Sequence, residues 1–296
     1  MARPLRIEFR DAVYHVTSRG DRCEPIYCDD RDRRKHLQIV SDGLHRFDAR
    51  AFAYCLMGNH FHLVLQTRRA NLSRLMRHIN GVYTQSFNRR HGVTGHLLQG
   101  RFNAILVDRD SYLLSLIRYV ERNPVAAGLA AYAAGWRWSS YRSHAGLESS
   151  PGWLETDEVL AAILGRPLDC AGDRDEAVRR YVEFVDPTPA SDCAAPSIWS
   201  TALRGQIFLG DETFVTRMQR RATTLATGSA DIPRAQRKPP LDLARYLRES
   251  VDRDVAIRNA CLESGVTLSA VARALGLSVS RVSRIVAAAG QAKGKT

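Results

Sequence analysis

MGNHFHLVL, residues 57–65, places a Gly-Asn pair between two apolar runs, AFAYCL before it and FHLVL after it. Such a pair is typical of the two-residue turns of β-hairpins, which need positive φ values. Successive side chains of a strand point to opposite faces, so His60 and His62 are predicted to point the same way while Phe61 points into a core. The stretch therefore predicts a hairpin whose second strand opens with two imidazoles on one face.

Two imidazoles on one face of a strand are candidate metal ligands. Their Cα atoms lie about 7 Å apart, so both rings can close on one ion if another element adds a polar third ligand. The alternative is that they are solvated surface groups or hydrogen-bonded polar groups of the core. All nine histidines lie at or before His144, which places any imidazole metal site in the first half of the chain.

The patterns around this hairpin predict a mixed fold. Alternation or helical spacing of apolar residues predicts strands and helices in the order β-α-β-β-α-β-α, and the elements beyond the hairpin are strands at 7–19 and 100–107 and helices at 29–46, 71–83 and 111–122. This order is the split βαβ, ferredoxin-like pattern, an antiparallel sheet with helices packed on one face. The predicted class is α+β, followed by an all-α C-terminal region.

The third helix carries a second polar pair. Tyr119 and Asn123 lie one helical turn apart, so a phenol and an amide oxygen are presented on the same face. The alternative is a core tyrosine with its hydroxyl at the boundary. Because a proline disfavours the α conformation of the residue before it, Pro124 predicts that the helix ends near Asn123.

Composition points to a phosphate-bearing partner. The 296 residues carry a formal net charge of +12, and 39 of the 43 basic residues are arginine, whose guanidinium holds phosphate oxygens in a bidentate fork. A basic protein of the membrane surface is the competing interpretation. With no signal-peptide pattern, no long apolar run and six scattered cysteines, we expect a cytoplasmic chain with reduced thiols, without a membrane or a small-molecule substrate.

Charge divides the chain into three parts. Residues 1–146 carry 23 basic against 12 acidic residues, residues 147–230 carry 8 against 13, and residues 231–296 carry 12 against 6. Two basic segments flanking an acidic one indicate two nucleic-acid-facing units, although solvated surface arginines produce the same count. The predicted organisation is a first unit at 1–147, a helical acidic connecting region at 148–230 and a DNA-binding domain at 241–290, after a loose stretch at 226–240.

The C-terminal segment has the pattern of a helix-turn-helix. Gly276 supplies the turn, Ser278 is a natural N-cap, and Val282 returns the second helix to a core. The residues left on the exposed face and predicted to enter the major groove are Ser280, Arg281, Ser283 and Arg284. An ordinary helical hairpin is the alternative.

Three ordered motifs together resemble one family. MGNHFHLVL at 57–65, LLQGRFNAILVDRDSYLLSLIRYVERNPVAAGL at 97–129 and WRWSSYRSHAGL at 136–147 look like the single-tyrosine HUH transposases, in particular the REP-associated tyrosine transposases. The resemblance covers roughly residues 5–147 and implies that residues 1–147 are the catalytic domain. It puts the two metal-binding histidines of the family on His60 and His62, the nucleophilic tyrosine on Tyr119, and the polar residue that helps to hold the metal on Asn123.

The resemblance implies an activity and its partners. Single-stranded DNA, with hairpin or repeat structure, is cleaved and rejoined through a 5′-phosphotyrosine intermediate with Mg²⁺ or Mn²⁺, while zinc stays open from ligand type alone. Arg101 and Phe102 are expected to hold a phosphate and stack a base, although an Arg-Phe step is ordinarily surface plus core. Two other functions stay open: a helix-turn-helix regulator with a degenerate catalytic domain, and a metal-dependent phosphodiesterase that activates water.

Overall fold

The computed structural model describes residues 7–186, 199, 203–204, 207–225, 243–250, 252–263 and 268–287. Two compact units divide the chain, residues 1–216 and residues 217–296. The predicted loose stretch at 226–240 lies outside the described residues. Within the described residues, no helix is both long enough and apolar enough to cross a membrane.

The first unit is built on a mixed sheet whose core is antiparallel. Its first elements are β1 (Ala12–Arg19), α1 (Asp30–Arg46), β2 (Ala49–Leu56), β3 (His60–Thr67), α2 (Leu72–His91), β4 (Asn103–Val107) and α3 (Arg109–Ala126). The four strands lie in the order β2-β3-β1-β4, and each neighbouring pair is antiparallel. The predicted α+β, ferredoxin-like fold class is confirmed.

The two faces of this sheet bury different helices. On one face, Phe61 contacts the ring of His36 on α1, and that ring stacks on Tyr83 of α2. On the other face, Val64 of β3 shares a buried core with Leu116 and other residues of α3. Helices α1 and α2 therefore cover one face, and α3 lies on the other, to which His62 points, so the prediction that the helices pack on one face is wrong.

Three local details differ from the sequence prediction. Neither Gly58 nor Asn59 has a positive φ, so the turn before β3 does not use the left-handed conformation that was predicted. β1 begins at Ala12 rather than at residue 7, because Asp11 turns the chain with a φ of 63°. α3 continues through Pro124 to Ala126; Pro124 is buried there, and the Ala127 N–H still donates to the Asn123 carbonyl at 2.9 Å.

The segment that follows α3 packs onto the same sheet. It contains α4 (Tyr141–His144), α5 (Thr156–Leu164), α6 (Ala171–Val185), β5 (Leu203–Arg204) and β6 (Phe208–Leu209). The next helix, α7 (Glu212–Leu225), spans the boundary between the two units. β6 pairs parallel to β4, and β5 pairs antiparallel to β6, so the sheet has six strands. Val159, Tyr181 and Leu209 belong to the core that α3 also lines. The hydrophobic core thus continues across residue 147, where the sequence suggested a domain boundary.

The described part of the second unit is helical. α8 (Leu243–Glu249), α9 (Arg253–Glu263), α10 (Leu268–Leu275) and α11 (Val279–Ala287) surround a small core of Ile257, Val271, Ala272 and Val282. Gly276 has a φ of 64°, the left-handed conformation that ends α10. The Ser278 hydroxyl accepts the Arg281 N–H at 3.2 Å, which caps α11.

Candidate active site

Strand register brings the histidines of β3 to the middle of the sheet. His60 pairs with Arg19 on β1, and His62 pairs with Thr17 on β1 and with Cys55 on β2. Their rings are edge to face with centroids 5.0 Å apart. His62 is 5% exposed, whereas His60 is half-buried at the rim. The strand therefore presents one enclosed and one accessible imidazole.

Each of these imidazoles has one ring nitrogen in a hydrogen bond. His60 Nδ1 lies 2.8 Å from the Asn59 side-chain oxygen, and the Asn59 amide nitrogen donates to the Cys23 carbonyl at 2.9 Å. His62 Nδ1 lies 2.9 Å from Nε2 of His15, a buried residue of β1. Among the described residues, the buried His62 Nε2 has no hydrogen-bond partner. A buried polar atom without a partner is costly, and a metal ion would satisfy it.

Burial keeps the imidazoles neutral. Desolvation lowers the pKa of His62 well below its usual value, and His15 and His60 lower it further. Desolvation also lowers the pKa of His60, with a second contribution from the Arg19 charge. Burial alone lowers the pKa of His15 to about 3. A neutral imidazole has a lone pair for a metal ion, so these rings are ready to act as ligands near neutral pH.

The tyrosine of α3 faces these rings. The Tyr119 ring centroid lies 6.1 Å from that of His62 and 6.0 Å from that of His15, edge to face in both cases. Trp199 covers the other side, 4.9 Å from the Tyr119 ring and 5.2 Å from the His15 ring. Tyr119 is only half-buried, so part of its side chain is accessible to solvent.

Asn123 lies one turn beyond Tyr119 and is half-buried. Its amide nitrogen donates to the Tyr119 carbonyl at 3.0 Å. A hard metal ion would bind the amide oxygen of Asn123. The hydrogen bond to the helix backbone uses the amide nitrogen instead.

The comparisons with known proteins bear on this arrangement. Residues 9–123 match the family described as IS200-like transposases, and this segment contains both histidines and the tyrosine. The resemblance to single-tyrosine transposases is thus confirmed. No curated protein matches the chain.

Solved structures that resemble the chain include that of a REP-associated tyrosine transposase bound to a REP hairpin. It is 15% identical over 51% of this chain and 89% of that chain, with a TM-score of 0.44.

The first unit also depends on a buried polar network that the sequence did not reveal. The Glu121 carboxylate on α3 is fully buried and accepts the Ser140 hydroxyl at 2.6 Å. It also bonds His144 Nδ1 at 2.8 Å and the Tyr181 hydroxyl. These contacts fix the helix that carries Tyr119 to α4 and α6. Their sequence signal is weak, because Ser140, His144 and Tyr181 lie 19, 23 and 60 residues from Glu121.

The other residues predicted to contact DNA differ in exposure. Arg101 is exposed, but Phe102 is 8% exposed, which leaves little ring surface for stacking on a base. In the second unit, the four residues predicted for the major groove are all exposed on α11: Ser280, Arg281, Ser283 and Arg284.

A further cluster of metal-ligand types lies at the junction of α1 and α2. Cys28, Asp32 and His91 present ligand atoms within 4.8 Å of one another, the one such trio among the described residues. The Asp32 carboxylate already accepts the Cys28 N–H at 2.9 Å, His91 Nε2 at 3.0 Å and the Arg90 guanidinium. These bonds satisfy the carboxylate, and we interpret the cluster as a tie between the two helices.

Proposed function

We propose that this protein is a transposase-type DNA strand transferase that cleaves and rejoins single-stranded DNA. Tyr119 is the nucleophile, and His60, His62 and Asn123 hold a divalent metal ion. The observation that carries the proposal is the contact of the Tyr119 ring with that of His62, whose Nε2 is buried without a hydrogen-bond partner among the described residues.

The donor set fits Mg²⁺ or Mn²⁺. Two neutral imidazoles and an amide oxygen give mixed nitrogen and oxygen ligation and leave further positions for phosphate oxygens. Zn²⁺ also binds nitrogen and oxygen donors, so the ligand types do not distinguish it from Mg²⁺ or Mn²⁺, and a measurement of metal binding is needed. When bound, the ion would neutralise the non-bridging oxygens of the scissile phosphate and orient the phosphorus.

The phenol of Tyr119 supplies the covalent step. Its oxygen loses a proton and forms a bond to phosphorus, while the bond from phosphorus to the 3′ oxygen breaks and that oxygen leaves as a free hydroxyl. The product is a 5′-phosphotyrosine, which conserves the energy of the phosphodiester for the later joining step. An unperturbed phenol has a pKa of about 10, so deprotonation at neutral pH needs the positive charge of the site.

The partner we propose is DNA with a single-stranded cleavage site beside a hairpin or repeat, as in the REP-associated branch of the family. The strongly arginine-rich surface supports a phosphate-bearing partner. We also propose that residues 1–147 carry the catalytic groups, that residues 148–230, part of which share their hydrophobic core, lead to the C-terminal unit, and that residues 241–290 form a DNA-binding helix-turn-helix. The exposed arginines of α11 support this assignment.

The covalent intermediate gives the sharpest test. Incubation with single-stranded oligonucleotides that contain hairpins, in the presence of Mn²⁺, should give a denaturation-resistant adduct that mass spectrometry maps to Tyr119. Tyr119→Phe should abolish the adduct, whereas Tyr112→Phe, about two turns earlier on the same helix, should form it normally. An adduct on Tyr112, or strand cleavage without any adduct, would contradict the proposal; the second result would indicate activated water.

A further inference from the structure

The two imidazoles among the candidate metal ligands have a shared feature that the proposed function does not use. In each ring, Nδ1 is held by another side chain: His60 Nδ1 by the Asn59 oxygen at 2.8 Å, and His62 Nδ1 by His15 Nε2 at 2.9 Å. We propose that Asn59 and His15 are positioning residues that fix both imidazoles as Nε2 ligands. This inference rests on the proposed metal site.

At His60, the donor and acceptor roles follow from the neighbouring bond. The Asn59 amide nitrogen donates to the Cys23 carbonyl at 2.9 Å, so the Asn59 oxygen is the atom turned to His60. A carbonyl oxygen only accepts, so Nδ1 of His60 carries the proton. A neutral imidazole has one N–H, so the lone pair is on Nε2. Asn59 thus sets the tautomer of the accessible ligand.

At His62, the geometry is that of a hydrogen bond in the plane of both rings. The His15 and His62 rings are 3° from parallel with centroids 5.2 Å apart, so the two nitrogen atoms meet edge to edge. With this edge occupied, Nε2 is the only nitrogen of His62 left for a metal ion. His62 must then donate its Nδ1 proton to the lone pair of His15 Nε2. A second hydrogen bond of this kind orients a ligating ring and raises its basicity.

The placement of the two residues agrees with this role. His15 is 3% exposed on the central strand β1, so its ring has a fixed environment. Asn59 sits in the turn immediately before His60, where its amide also ties the hairpin to Cys23. Neither residue is needed as a ligand.

Metal affinity tests the inference directly. Mn²⁺ binding to the full-length protein is measured by calorimetry or electron paramagnetic resonance for Asn59→Ala and His15→Phe, each beside a variant that keeps an acceptor, Asn59→Asp and His15→Gln. Loss of the Nδ1 partner should weaken binding about 10- to 100-fold, and the acceptor variants should recover much of it. If the acceptor variants are as weak as Asn59→Ala and His15→Phe, the role is packing and the inference is wrong.

The failure of this inference differs from the failure of the metal site. If His60→Ala abolishes Mn²⁺ binding while Asn59→Ala and His15→Phe bind as the wild type does, the site stands and the positioning role is wrong. If the wild type does not bind Mn²⁺, both are wrong. Histidine ¹⁵N spectra of the Mg²⁺-loaded wild type need no substitution: we expect both ligands with the proton on Nδ1, and a proton on Nε2 of either ring would overturn the inference.

Discussion

At the scale of single residues, the shared face of His60 and His62 could be predicted because strand alternation is a local rule that needs no knowledge of the fold. The choice of Tyr119 as the candidate nucleophile depended on helical spacing and on the family resemblance. The partners Asn59 and His15 were not predicted in these roles. Asn59 was interpreted only as a turn residue, and the pairing of His15 with His62 depends on the β1–β3 register, which a single sequence does not supply.

A prediction at this scale separates metal ligation from DNA affinity. His60→Ala and His62→Ala should abolish cleavage of a single-stranded hairpin substrate but leave its binding largely unchanged, because arginines rather than the ion carry affinity for the phosphate backbone. His45→Ala, an exposed histidine at the end of α1, is the matched control and should cleave normally. Full activity of either variant in the presence of a chelator would exclude this metal site.

At the scale of elements, the sequence predicted the order of the first seven strands and helices, but not what holds α3 in place. Periodicity identifies the apolar face of a helix, whereas Glu121 is a charged residue buried in the middle of that helix. A buried carboxylate is costly unless it is hydrogen-bonded. Its three partners here, Ser140, His144 and Tyr181, come from parts of the chain that are far from α3 in sequence. Likewise, β5 and β6 have two residues each, too few for an alternation pattern to be recognised.

Removal of one donor from this network should destabilise the fold measurably. Burial raises the pKa of Tyr181 well above its usual value, and the Glu121 charge raises it further, so the hydroxyl stays protonated and donates. Tyr181→Phe removes the hydroxyl that donates to Glu121 Oε2. The buried oxygen loses its donor, which should lower the free energy of unfolding by about 1–3 kcal/mol, measured by chemical denaturation. Tyr132→Phe, at a residue that is 59% exposed, should change it little. Equal stability of the two variants would mean that Glu121 does not depend on Tyr181.

At the scale of the whole molecule, charge was informative where periodicity was not. The excess of arginine predicted a phosphate-bearing partner, and the basic C-terminal segment has a helical unit whose second hairpin helix exposes Arg281 and Arg284. Sequence could not predict that residues after 147 would share a core with α3, because their acidic composition describes the surface of α5 and α6 rather than the faces they bury.

The last prediction concerns how the C-terminal unit contributes to binding. Each arginine that neutralises a phosphate releases counterions. The slope of log affinity against log salt concentration therefore becomes steeper by about one for each such arginine. The double variant Arg281→Ala/Arg284→Ala should therefore bind duplex DNA more weakly and with a slope lower by about two. Arg248→Ala, at an exposed arginine on α8 of the same unit, is the control for the loss of a positive charge away from α11 and should leave the slope unchanged. Because Tyr119 is in a different unit, adduct formation on a single-stranded hairpin at saturating concentration should be unchanged in the double variant. If the double variant keeps the wild-type slope, α11 does not contact phosphate, and the helical hairpin has a structural role instead.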